Sequence, residues 1–450
     1  MDDTIVAIST SLGVGAISII RVSGKDSIKI VNKICDINLE SKNSHTINYS
    51  HIYDNNIMID EVLISVMKAP KTFTTEDIVE INCHGGIAVT NKVLEILLIN
   101  GCRLAEPGEF TKRAFLNGRI DLLESNGIMD MINAKTESAR KMAMNSINGS
   151  LSKKIKNIRE ILLEIEANIN VNIDYPEYED IEQITNEQIL PKIDIIEDRI
   201  KELIDTSKNG KIIKEGIQTA IIGKPNVGKS SLLNALLDEN KAIVTNIPGT
   251  TRDIVEGTIN FDGILINIID TAGIRKTSDL VESIGVQKSL EYIEKADLVL
   301  YLLNNNEKIT DEDIRILEKI KNKNYIIVIN KVDLETKIDF NLLNSENIVK
   351  MSVINNQGIN ELKKKIKEIY NLEKIELGDF TYLSNAKDVA ILKKGLEKIN
   401  DIRKGIKENY PIDILEIDIK ELFNSLGIIT GDTYQDELID KMFSKFCLGK

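Results

Sequence analysis

With 450 residues the chain is too long for one compact core, so about two to four domains are expected. Hydrophobic residues make up 42% and charged residues 28%, the balance of a soluble globular protein. The net charge of −13 excludes a protein that grips nucleic acid through an overall basic surplus, so any RNA contact is expected to be local or shared with a partner.

The start, Met1-Asp2-Asp3-Thr4, is acidic and lacks an apolar segment, so no secretory signal is expected. No run of ~18 apolar residues occurs, so no membrane span is expected. Cys35, Cys83, Cys102 and Cys447 are widely spaced with no CxxC pair, which points to neither a zinc site nor a disulfide framework. His84 beside Cys83 offers too few ligands for a metal, and the glycines that follow suggest a turn. A reducing cytoplasm fits all of this.

Residues 4–118 alternate short apolar runs with helical ones. Ile17–Val22, Val62–Val66 and Ile78–Asn82 read as strands, and Gly86–Asn100 as a helix stopped by Gly101. This is the pattern of a small α+β domain. From about residue 120 the strand signal vanishes. Ile155, Ile158, Leu162, Ile165 and Ile169 recur at spacings of three and four, one stripe of a helix that Asp174-Tyr175-Pro176 breaks. Asp194–Asp205 resumes the helical pattern, and Ser207-Lys208-Asn209-Gly210 reads as a linker.

Residues 213–370 alternate strands with helices, the mark of a parallel sheet wrapped by helices. After about 375, helical stripes return at Leu392–Ile406, Leu415–Leu426 and Leu438–Phe446; the mildly basic stretch Lys393 to Lys407 reads as a solvated helix face. Helices on both sides of an insertion need each other to bury their stripes. The expected fold is therefore α/β plus α+β and all-α parts, with a nucleotide domain inserted into a helical domain. The boundaries are 1–118 for the α+β domain, 119–210 and 373–450 for the two parts of the helical domain, and 211–372 for the insertion.

Four nucleotide-binding elements follow one another in the insertion. Ile217–Ile222 is a strand delivering the loop Gly223-Lys224-Pro225-Asn226-Val227-Gly228-Lys229-Ser230, and Ser231–Leu237 is the helix after it. Backbone N–H groups of the loop and the helix N-terminus wrap phosphates, Lys229 neutralises β/γ oxygens and Ser230 offers a hydroxyl to Mg²⁺. Asn226, Val227, Gly228 and Ser231 complete the predicted contacts of this loop. The switch segment is Thr245-Asn246-Ile247-Pro248-Gly249-Thr250-Thr251, with Thr251 the second hydroxyl for Mg²⁺. Next comes Asp270-Thr271-Ala272-Gly273, where Asp270 orders a Mg²⁺-bound water and the Gly273 N–H approaches the γ-phosphate. Last is Asn330-Lys331-Val332-Asp333, whose carboxylate accepts from guanine N1–H and the 2-amino group, donors that adenine lacks. The site is thus predicted to take GTP.

A Ras-like hydrolase carries a water-orienting Gln after the Asp-x-x-Gly element; here that residue is Ile274, which cannot orient water. Catalysis must recruit groups from elsewhere, and Arg252, Arg275 and Glu282 are candidates. An arginine finger is worth ~10³–10⁵ in rate. A monovalent cation held by Asn226 and switch-loop carbonyls is another way to supply that charge.

The chain ends Phe446-Cys447-Leu448-Gly449-Lys450, which resembles the terminal signature of the MnmE (TrmE) family of tRNA modification GTPases. Thr4-Ile5-Val6-Ala7, Ile20-Arg21-Val22-Ser23-Gly24, His84-Gly85-Gly86, Pro107-Gly108-Glu109-Phe110-Thr111 and Arg113-Ala114-Phe115-Leu116-Asn117-Gly118 carry the same resemblance. It runs from residue 4 to the last. It implies an N-terminal folate-binding domain that forms a homodimer, and a flavoprotein partner, MnmG (GidA), that carries FAD. Together the pair would add a carboxymethylaminomethyl or aminomethyl group to C5 of the wobble uridine of certain tRNAs, with a tetrahydrofolate derivative as one-carbon donor. It also implies activation by K⁺, held by Asn226, Thr245, Ile247 and Thr250, and Glu282 as the residue that orients water. Arg21, Glu80, Arg119 and Lys450 match folate-contacting positions. Ser352-Val353-Ile354 stands where similar chains carry a Ser-Ala-Lys/Arg element that stacks on guanine, and a nucleophilic role for Cys447 needs a basic partner. The alternative from the nucleotide motifs alone is a GTP-switched ribosome-assembly factor; a third, separate reading takes residues 1–118 as purely a scaffold for dimerisation.

Overall fold

A computed structural model describes residues 3–174, 186–239, 257–261, 263–269, 291–343, 345–372, 380–433 and 436–449. The chain divides into two compact units: residues 1–129, 146–196 and 394–450 in one, residues 130–145 and 197–393 in the other.

The first unit opens with β1 (Ile5–Ile8), β2 (Ile17–Ser23), α1 (Ser27–Asn32), β3 (Thr46–Asp54), β4 (Ile57–Met67), β5 (Ile78–His84), α2 (Ile87–Ile99) and β6 (Arg103–Leu104). The strands form one sheet in the order β3-β4-β5-β2-β1-β6, antiparallel except for the short β1–β6 pair. Val22, Ile64, Val79 and Ile81 on one sheet face pack with Val31, Val93 and Leu97 of α1 and α2. This is the α+β layer expected from period-2 alternation meeting period-3.6 stripes. Gly101, at φ +112°, ends α2 as expected; its N–H and that of Cys102 return to the carbonyls of Leu98 and Leu97.

Helices follow: α3 (Glu109–Leu116), α4 (Leu122–Asn133), α5 (Glu137–Ile147), α6 (Ser150–Asp174) and α7 (Asn186–Glu215). The predicted stripe of α6, Ile155 to Ile169, is wholly buried; Tyr175 and Pro176, expected to break the helix, lie outside the described residues. The predicted linker at 207–210 is corrected: α7 runs through it to Glu215. A Cβ on Gly210 would lie 2.4 Å from the Leu383 carbonyl oxygen, so this glycine allows a neighbouring chain segment to come close rather than breaking the helix.

The second unit holds β7 (Ile217–Gly223), α8 (Lys229–Glu239), β8 (Thr258–Phe261), β9 (Ile264–Ile268), β10 (Leu298–Asn304), α9 (Asp311–Ile320), β11 (Asn324–Asn330), β12 (Ile348–Lys350) and α10 (Ile359–Tyr370). Its sheet has the order β12-β11-β10-β7-β9-β8, parallel apart from the β8–β9 hairpin. Every residue of β10 is buried, as a central parallel strand covered on both faces requires. The loops after β7 and β11 therefore emerge at the same, carboxyl-terminal edge of the sheet, where such folds bind ligands.

Three further helices are described: α11 (Ala386–Lys407), α12 (Ile412–Thr430) and α13 (Asp436–Phe443). Leu415, Ile419, Leu422 and Leu426 of α12 are buried as the stripe predicted. Three charges of the basic stretch on α11 are paired within the protein: Lys398 reaches Asp418 and Glu421 (3.2 and 2.8 Å), Arg403 pairs with Asp194, and Lys404 lies 4.0 Å from Glu408. Phe443 and Phe446 close a small core with Phe115, Leu122 and Ile439, which brings the carboxyl-terminal segment onto the α3 region of the same unit.

Candidate nucleotide site

The phosphate loop is built as the sequence predicts. β7 ends at Gly223, the loop crosses to α8, and α8 begins at Lys229. Asn226 and Gly228 take φ of +61° and +102°, a geometry that turns successive N–H groups toward one concavity. A Cβ on Gly228 would sit 2.3 Å from the Asn330 side-chain nitrogen. Glycine is required there by space as well as by backbone angle.

Asn330, at the end of β11 and buried, is the tie between the two halves of the site. Its Nδ2 donates to the Val227 carbonyl at 2.9 Å, and its Oδ1 accepts from the Val353 N–H at 3.2 Å. Lys331 extends over the loop, and its Nζ donates to the Asn226 carbonyl at 2.8 Å. The Ser352 hydroxyl donates to Asp333 Oδ1 at 2.5 Å, which orients an exposed carboxylate for a base edge. Thus the phosphate loop and the base-reading element, 103 residues apart at Val227 and Asn330, meet through direct hydrogen bonds. Ser352 and Val353 make the supporting bonds, and Ile354, in the place of the stacking Lys/Arg, is 82% exposed.

Lys229 Nζ donates to the carbonyls of Gly223 and Lys224 at 2.8 and 2.7 Å. Burial lowers its pKa, because the ammonium is only partly solvated. Phosphate oxygens placed against it would restore the lost stabilisation of charge. Ser230 and Ser231 are the next residues of α8, where a hydroxyl ligand for Mg²⁺ belongs. The Asn226 side chain is exposed and makes no hydrogen bond among the described residues, so its amide oxygen suits a hard monovalent cation. Thr245, Asn246, Ile247, Pro248, Gly249, Thr250, Thr251, Asp270, Thr271, Ala272, Gly273 and Glu282 lie outside the described residues, as do Arg252, Arg275 and Lys450.

A second cluster lies in the first unit. Arg21 and Glu80 are direct cross-strand partners of β2 and β5, and Arg21 Nε donates to Glu80 Oε1 at 2.8 Å. The Arg21 guanidinium stands 5.6 Å from the Phe110 ring centre and 6.0 Å from that of Phe73. Arg119 stacks on Phe73 at 5.0 Å and donates to the Phe73 carbonyl. The carboxyl-terminal segment reaches the same place, with the Gly449 carbonyl 3.4 Å from Arg21. Arg21, paired to Glu80, and Arg119 thus meet at Phe73. A cleft of about 580 Å³ opens beside it, lined by residues that include Lys71, Phe73, Asn117 and Arg119.

A family model for the GTP-binding protein TrmE N-terminus matches residues 4–119, and one for the MnmE helical domain matches residues 122–447. The chain belongs to the MnmE family. The tRNA modification GTPase MnmE of Lactococcus lactis subsp. lactis is 50% identical over 449 residues, spanning 100% of this chain and 98% of that protein. MnmE of Listeria welshimeri is 50% identical over 454 residues (100% and 99%), and MnmE of Streptococcus thermophilus 51% over 451 (100% and 98%). Among solved structures, a variant of Aquifex aeolicus Era bound to GDP.AlF4- is 30% identical over 34% of this chain and 56% of that one, with a TM-score of 0.26. Membership in the MnmE family stands on the sequence matches.

Sequence reasoning missed several members of these sites. Ser352 was visible only as part of a departure from a motif, although a hydroxyl in that position can orient Asp333. Phe73 gave no signal, since a lone phenylalanine reads as core, and Phe110, although inside a stretch that carries the resemblance, was given no role there. Cys447 is exposed, and its carbonyl accepts from the Gly108 N–H at 3.2 Å. Cys102 is inert by contrast, burial pushing its thiol up to about 12. His84 is exposed and its Nδ1 pairs with the buried Asp60 carboxylate at 2.6 Å; no group of three or more metal-ligating side chains occurs among the described residues.

Proposed function

We infer that this MnmE-family chain hydrolyses GTP in the modification of wobble uridine in tRNA. The observation that carries the reading is the joining of phosphate loop and base-reading element through Asn330, with Asp333 presented by Ser352. The relatives, similar over their whole length, bear the name tRNA modification GTPase. No helix among the described residues is long and apolar enough to cross a membrane.

In this reading the loop N–H groups and Lys229 bind the phosphates, and Asp333 selects guanine over adenine. Mg²⁺ would be held by Ser230 and Thr251 and K⁺ by Asn226, Thr245, Ile247 and Thr250. When bound, the two cations supply positive charge beside the β- and γ-phosphates. Glu282 orients the attacking water in place of the glutamine that Ile274 replaces. Val227, Gly228, Ser231, Asn246, Pro248, Gly249, Asp270, Thr271, Ala272, Gly273 and Lys331 line the remainder of the nucleotide site.

The N-terminal α+β domain, residues 1–118, binds a tetrahydrofolate derivative through Arg21, Glu80, Arg119 and Lys450. The chemistry suits the ligand: a glutamate accepts pterin N–H donors, and cations meet the folate carboxylates. The same domain forms the homodimer, and helical parts at 119–210 and 373–450 flank the GTPase domain at 211–372. An MnmG-type flavoprotein supplies FAD.

Bulk tRNA from a strain lacking this gene tests the reading. Mass spectrometry of its nucleosides is expected to show C5-modified wobble uridine replaced by an unmodified or partly modified form. An unchanged nucleoside profile, with the protein co-sedimenting with a ribosomal subunit, would instead support the ribosome-assembly alternative.

A further inference from the structure

Asp313, on the first turn of α9, has a side chain only 2% exposed, yet it accepts four hydrogen bonds. Its Oδ2 takes the Thr310 backbone N–H and hydroxyl, both at 2.8 Å, and Lys224 Nζ at 2.6 Å. Its Oδ1 takes the hydroxyl of Tyr301, a fully buried residue of β10, at 2.7 Å. Burial alone would raise the pKa of this carboxyl, but Lys224, Tyr301 and Thr310 together hold it below the ordinary aspartate value. A helix cap needs only the bonds to Thr310. The bonds to Tyr301 and Lys224 call for another explanation.

Lys224 supplies it. Lys224 is the first residue of the phosphate loop after β7. Its side chain runs to Asp313 and to the Thr310 hydroxyl (2.6 Å), while its own carbonyl accepts Lys229 Nζ at 2.7 Å. The loop backbone is weakly self-determined, because Gly223, Asn226 and Gly228 all take positive φ and two of them are glycine. An anchor from outside the loop is therefore needed to fix where its carbonyls and N–H groups point. Tyr301 lies opposite Ile222 in the β7–β10 register, so the anchor is itself seated in the sheet that delivers the loop.

We propose that Lys224 and Asp313 form a positioning pair for GTP binding, a strut that holds the phosphate loop in its binding shape from behind. This rests on the GTP-site reading above and extends it to a residue pair that touches no phosphate. A buried carboxylate deprived of its cation is strongly unfavourable, which gives the strut its stiffness.

The test uses the full chain, N-methylanthraniloyl-labelled GDP and steady-state GTP hydrolysis. Lys224→Met, a change at a partly exposed side chain, is expected to weaken labelled GDP about tenfold and to raise KM for GTP by a similar factor, with kcat within about threefold of wild type. Lys224→Arg, which keeps a cation for Asp313, is expected to recover binding to within about threefold of wild type. Asp313→Asn should weaken binding as Lys224→Met does, and the double variant should be no weaker than the weaker single. If Asp313→Asn does not fold, the Met and Arg variants at 224 decide alone. A wild type that binds labelled GDP, with Lys224→Met binding equally well, overturns the strut; a wild type that binds none overturns the site reading with it.

Discussion

Replacing Asp333 with Asn is expected to raise KM for GTP by about a hundredfold or more, since two charge-assisted hydrogen bonds to guanine are lost and an amide donor faces the base. The same variant should gain activity on xanthosine triphosphate, whose 2-oxo group accepts from the new amide. Steady-state hydrolysis of both nucleotides measures the exchange. The Ser352 hydroxyl that steers Asp333 would remain in place, so the geometry of the position is kept while its hydrogen-bonding sense is reversed. An unaltered KM for GTP would mean that the carboxylate does not read the base.

Lys229→Ala is the second large effect. The ammonium is partly buried and faces the carbonyls of Gly223 and Lys224, with burial already lowering its pKa. Removing a cation that would be paired with phosphate in such a setting costs about 2–5 kcal/mol, or roughly 30- to 4,000-fold in affinity. Equilibrium titration with labelled GDP and GTP should show that loss, larger for GTP than for GDP because the lysine reaches toward the γ-phosphate. The fold should survive, since the two carbonyls it leaves stand at a partly solvated loop. Equal affinity for both nucleotides in wild type and variant would place the phosphates elsewhere.

These sites were legible in the sequence to different depths. The phosphate loop and Asn330-Lys331-Val332-Asp333 could be read because their chemistry dictates residue types at fixed spacing, and strand and helix fall on the predicted sides of them. The buried stripes of α6 and α12 were legible for a simpler reason: apolar residues at spacings of three and four leave a helix one face to bury. β3 was there to be found, as Ile47, Tyr49, His51 and Tyr53 alternate with Ser50 and Ile52 facing the interior, but its polar residues masked the pattern. The segment at 207–210 misled because a Ser-Lys-Asn-Gly run has the composition of a turn, whereas the helix continues through it and Gly210 leaves room for Leu383. Local sequence carries no trace of so distant a partner.

The same limit hid Lys224 and Asp313, 89 residues apart and joined only in three dimensions. It also hid the aromatic frame around Arg21, assembled from Phe73 in the β4–β5 loop and Phe110 on α3. For Arg21 and Glu80 themselves, neither charge is distinctive alone. Their pairing in register on adjacent strands, beside Arg119 and the carboxyl-terminal segment, is what turns two ordinary strand charges into a candidate ligand site.

In the proposed mechanism a monovalent cation beside Asn226 supplies the charge that an arginine finger supplies in other GTP hydrolases. The most direct measurement is steady-state GTP turnover of the purified chain at equal ionic strength in KCl and in NaCl. At least about tenfold faster turnover in potassium is expected, with the advantage lost in Asn226→Ala. Equal turnover in the two salts would contradict the account.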